Sequence, residues 1–135
     1  RAKATSNICT NQGLLVAAAT IYMSIMGNEG LRQVALASHA GMAELLQRAE
    51  QLAGVQQHFT GAYFHECVLE LPVPAAALIS AMGEQGVLPG LDLGEYFAGM
   101  EHCLLVNVTE KKTAADLDRF MDGLKSSLQT VSQSC

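Results

Sequence analysis

The strongest constraint on the fold is a run of thirteen residues, Leu14–Met26, reading "LLVAAATIYMSIM". As a helix it spans about 20 Å, too short for a bilayer core about 30 Å thick. It is apolar nearly all round, so it must be buried by protein on more than one side. The pattern predicts a helix from Thr10 to Met26, closed by Gly27 in a left-handed cap. Gly13, Ala17, Thr20 and Ser24 fall on a narrow stripe of small residues, beside a bulkier one of Leu14, Ile21 and Ile25. Leu14, Ala17, Ile21, Ser24 and Ile25 are therefore expected to pack against another subunit or domain. The lead-in "KATSNICTNQG" is polar, and Thr5, Ser6, Asn7 and Thr10 bring hydroxyls and an amide to the start of this helix. Capping needs one of them. The surplus makes these four the candidates for an active-site cleft or interface.

Half of the 135 residues are apolar and 16% are charged, a composition for one globular domain. The net charge of −5 argues against nucleic acid, which requires a basic surface. The start carries neither a basic leader nor a clear cleavage site, so a cytoplasmic, non-membrane protein is expected. The first residue is Arg, and the chain reads as a fragment of something longer. Cys9, Cys67, Cys103 and Cys135 are dispersed, with no metal or disulfide spacing.

A second, amphipathic helix is expected from Asn28 to about Leu52, ended by Gly54. Residues 55–59 and 63–71 then alternate with period two. Tyr63, His65, Cys67, Leu69 and Leu71 share one face, and Glu66 and Glu70 lie on the other. Pro74 opens a short helix through "AAALISAM". "VLPGLDL" reads as an edge segment and "HCLLVNV" (102–108) as the core strand. Thr113 and Asp116 form a capping box ahead of a last helix, whose stripe is Leu117, Phe120, Met121, Leu124, Leu128 and Val131. The order α-α-β-β-α-β-β-α specifies an α+β two-layer sandwich, helices on one face of a small sheet.

Few of these residues offer catalytic chemistry. His65-Glu66 lacks the second histidine of a zinc-protease helix, and the glycines of "GEQGVLPG" have no nucleotide-loop spacing. Lys111, Lys112 and Lys125 fall in a polar turn or on a wet helix face, where an amine stays protonated and makes a poor nucleophile. The histidines are scattered at 39, 58, 65 and 102. Glu66 and Glu70 fit a solvated sheet face better than a catalytic pair.

Taken together, "KATSNICTNQGLLVAAATIY", "YFHECVLEL", "LPGLDLGEYF" and "LLVNVTEKKTAADLDRFMDGL" resemble the last third of subunit 1 of glycine dehydrogenase (decarboxylating), the glycine cleavage P-protein family. Ala2, Gly13 and His65 depart from its usual pattern. The resemblance implies the small C-terminal domain of a fold-type I pyridoxal-phosphate enzyme, occupying residues 1–135, with the large cofactor-binding-type domain absent. It further implies an oxidoreductase that decarboxylates glycine and passes the aminomethyl group to a lipoyl carrier protein. The cofactor's lysine would belong to subunit 2, so the chain itself would hold no catalytic or cofactor-binding residue and would be inactive alone. An alternative from the residues is a regulatory module binding an amino acid. Either way, a bare apolar helix predicts self-association as a dimer through residues 10–26.

Overall fold

The structure is a computed structural model and describes residues 12–134. Its elements are α1 (Gln12–Ala49), β1 (Gln56–Gln57), β2 (Glu66–Glu70), α2 (Ala75–Glu84), β3 (Leu91–Asp92), a 3-10 turn (Leu93–Glu95), β4 (Cys103–Asn107) and α3 (Ala114–Ser134). The chain divides into two units between Ala35 and Leu36, and α1 contributes to both.

In the first unit, the expected stop at Gly27 is a kink. Gly27 leaves the helical conformation (φ 61°, ψ −176°) and the helix resumes at once, so no linker separates the two expected helices. Only glycine takes that φ cheaply. Glu29 then pairs with Arg32 at 2.7 Å. By length and apolar composition alone, α1 could cross a membrane. The break and the ion pair cut its uninterrupted apolar run to Leu14–Met26, short of the roughly 20 residues a span takes.

The second unit is a helix-on-sheet sandwich. Its sheet runs β1-β2-β4-β3 and every neighbouring pair is antiparallel. Cys67 and Leu69 of β2 and Leu104 and Val106 of β4 face the helices. They meet Met42 and Leu45 of α1, Leu78 and Met82 of α2, and Leu124 and Leu128 of α3. Helix approach is set by small residues. A Cβ on Gly41 would meet Val108 Cγ1 at 2.8 Å, and one on Gly123 would meet Met82 Cε at 3.2 Å. Gln85 Nε2 also donates to the buried Ser127 hydroxyl at 3.0 Å, tying the end of α2 to α3.

Two boundaries and one sheet face differ from expectation. α1 ends at Ala49, three residues before Leu52, because turns closed by Leu46 O and Ala49 O carry the chain to Gly54 at φ 79°. β2 begins at Glu66, although the alternation starts at Tyr63. Tyr63 does pack against the core, but the ladder does not reach it. Finally, the second sheet face is not simply solvated. Val68 is buried there with Leu93 and Cys103, under the 3-10 turn that the Asp92 carboxylate caps at Gly94 N (2.8 Å).

The capping box forms as its spacing predicts. Thr113 N and Oγ1 each donate to Asp116 Oδ2 at 2.8 Å, and Asp116 N donates back to Thr113 Oγ1 at 3.3 Å. The Thr113 amide and hydroxyl hold the Asp116 carboxyl below the usual carboxylate range. A depressed carboxyl stabilises the fold above its unfolded pKa, near 4, and loses that contribution as pH falls through the folded value. Thr113→Ala is expected to lower the denaturant midpoint at neutral pH, with the deficit shrinking as the solution is acidified below about pH 4.

Candidate functional site

Of the residues singled out in the sequence, Thr5, Ser6, Asn7 and Thr10 lie outside the described residues. The packing candidates on α1 are described, and their large members are exposed: Leu14 by 74%, Ile21 by 59% and Ile25 by 77%. Ala17 and Ser24 are exposed as well. Thr20 and Ser24 fold their hydroxyls back onto the carbonyls of Val16 (2.8 Å) and Thr20 (2.7 Å). Those bonds hide polarity that would otherwise oppose apolar contact. The run is thus an apolar surface on every side, of the kind that marks an interaction site.

The titratable side chains mostly serve structure. His39 Nδ1 bonds Phe64 O at 2.9 Å and its ring stacks on Phe64. His102 Nδ1 bonds Leu71 O at 3.1 Å. Glu70 accepts from Gln56 (3.1 Å) and lies 3.2 Å from His58 Nδ1, and these contacts hold its carboxyl below the usual range. Burial, aided by the charge of Glu50, pushes the Cys67 thiol up to about 11, so it is inert at neutral pH. His65 Nδ1 is buried and has no hydrogen-bond partner among the described residues. No grouping of His, Cys, Asp and Glu able to hold a metal occurs among the described residues.

A cleft of about 530 Å³ lies between the end of β4, the 86–91 loop and the start of α3. Leu45, Val108, Leu117 and Phe120 are among its apolar lining residues, and Glu66, Lys112, Asp116 and Arg119 are the charged ones. No residue pattern points to it, because it depends on strand register.

The model of the "Glycine cleavage system P-protein" family matches residues 1–124. The chain belongs to the glycine cleavage system P-protein family. Among its relatives in that family, the probable glycine dehydrogenase (decarboxylating) subunit 1 of Nitrosospira multiformis is 48% identical over 124 residues, 92% of this chain and 27% of that protein. The corresponding protein of Nitrosomonas europaea is 49% identical over 128 residues, 95% of this chain and 28% of its own length. The chain thus spans little more than a quarter of these relatives. The crystal structure of an inhibitor-bound glycine decarboxylase (P-protein) of the glycine cleavage system superposes with a TM-score of 0.79 at 32% identity, over 94% of this chain and 29% of that one. A Bacillus anthracis aminotransferase superposes at 0.61 with 18% identity over 84% of this chain, which shows a shared fold. The α+β sandwich is therefore a domain of the P-protein fold.

Proposed function

We propose that this chain is the C-terminal domain of subunit 1 of a cytoplasmic glycine dehydrogenase (decarboxylating), and that it shapes an active site shared with subunit 2 without performing the covalent step. In this reading the whole enzyme decarboxylates glycine with pyridoxal phosphate and hands the aminomethyl group to a lipoyl carrier protein. Identity near 48% to proteins named as subunit 1, over 92% of this chain, carries the reading.

The described residues do not fit a seat for pyridoxal phosphate. That group needs a lysine sheltered enough to lose its proton, whereas Lys111, Lys112 and Lys125 are all exposed. The chain's contribution is then shape and cover. Leu14, Ala17, Ile21, Ser24 and Ile25 would pack against the rest of the subunit or its partner. Thr5, Ser6, Asn7 and Thr10 would brace the neighbouring cleft.

The test is to splice this chain in place of the matching quarter of the Nitrosomonas europaea subunit 1, pair it with that organism's subunit 2 and carrier protein, and measure glycine-dependent carbon dioxide exchange. Activity within about tenfold of the parent is expected, a penalty of about 1.4 kcal/mol at most. A fully assembled but inactive chimera would overturn the reading. The chain alone, incubated with pyridoxal phosphate, is expected to develop no stoichiometric absorbance band between roughly 330 and 430 nm, since no lysine among the described residues is sheltered.

A further inference from the structure

We propose that the cleft between β4 and α3 binds a free amino acid with an apolar side chain, held as a zwitterion. The opening exists because β3 cannot follow β4 to its end. Leu91 pairs with Leu105 and Asp92 with Leu104, so the same register sets Pro89 opposite Asn107. Pro89 has no N–H to donate, and the ladder stops. Val108 N donates to His65 O on the β2 side, so the backbone groups of Asn107 point the other way, toward the gap. Upstream, the Arg119 guanidinium donates to the carbonyls of Gly86 (3.3 Å) and Gln85 (3.5 Å) and braces the outer wall.

The ligand class follows from the lining. The volume of about 530 Å³ falls in the range of small-molecule sites. Apolar side chains line it beside charges of both signs: Lys112 and Arg119 against Glu66 and Asp116. Asp116 is engaged by Thr113 and Arg119 by the loop carbonyls. That leaves Lys112 and Glu66, neither of which has an ion-pair partner within 4.0 Å among the described residues. A ligand with a single charge meets repulsion from one of them. A zwitterion satisfies both, with its carboxylate toward Lys112, its ammonium toward Glu66 and the Asn107 carbonyl, and its side chain on the apolar surface.

This site does not rest on the chain's place in the P-protein, and the test separates the two. The 135-residue chain is titrated calorimetrically with L-phenylalanine, N-acetyl-L-phenylalanine and L-phenylalaninamide, beside the surface variants Glu66→Gln and Lys112→Gln. L-phenylalanine is expected to bind saturably, with each singly charged analogue about tenfold weaker. Glu66→Gln is expected to weaken L-phenylalanine about tenfold and to tighten the acetylated analogue, which it relieves of a repelling charge, while Lys112→Gln likewise weakens L-phenylalanine and tightens the amide. No saturable heat at roughly 10 mM L-phenylalanine, or equal affinity for all three ligands, would overturn the proposal.

Discussion

Leu104→Ala is expected to destabilise the chain by about 3–4 kcal/mol and lower its melting temperature by on the order of 10 °C. Leu104 has no exposed surface and sits in the central strand, between the sheet and the helices. Truncation there leaves a cavity that neighbours on three helices cannot easily fill. Its sequence neighbour Leu105 points to the opposite face and is half-buried beside Met100. Leu105→Ala should cost about 1 kcal/mol, because much less apolar surface leaves water there. Paired urea melts measure the difference. Equal losses would contradict the layer arrangement, since they would put both residues in equally tight cores.

The second large effect concerns assembly. Ile21 and Ile25 lie one turn apart on α1 and are exposed by 59% and 77%. In the chain alone, Ile21→Asp with Ile25→Asp should leave the melting temperature of the 36–134 unit unchanged and abolish self-association, read by sedimentation. Within the reconstituted enzyme the same pair should prevent subunit assembly and cut carbon dioxide exchange by at least about 100-fold. Covering about 400 Å² of apolar helix surface is worth roughly 10 kcal/mol before association costs. Two buried, unpaired carboxylates would cancel most of that gain. Retained assembly in the double variant would mean that the interface lies elsewhere.

Much of this was legible in the sequence where one residue type has one physical consequence. The Thr113–Asp116 spacing gave the cap of α3, Gly27 the break in α1, and the apolar run within 102–108 the central strand. The failures have a common cause. The alternation at Tyr63 and His65 resembles a strand, yet Phe64 is held by rings, stacked on His39 and edge-on to His65 (centroids 4.9 Å apart), while the ladder begins only at Glu66. Val68 is buried because the 3-10 turn folds over the far face. An acidic residue two before a glycine, Asp92-Leu93-Gly94, was the available sign of that turn. The cleft left no sign, because Pro89 and Asn107 are eighteen positions apart and face each other only through the pairing of β3 with β4.

The apolar surface of Leu14–Met26 is the feature on which the assembly reading turns, and hydroxyl-radical footprinting addresses it side chain by side chain. Tyr22 and Met23 are exposed by 47% and 51% and both react readily with the radical. The measurement compares the isolated chain, dilute enough to be monomeric, with the same chain inside the reconstituted two-subunit enzyme. Both residues should oxidise freely in the first and be shielded at least about fivefold in the second, as burial at a packed interface requires. Equal oxidation in the two samples, with assembly verified, would show that the helix faces water in the working enzyme and that its apolar surface has some other purpose.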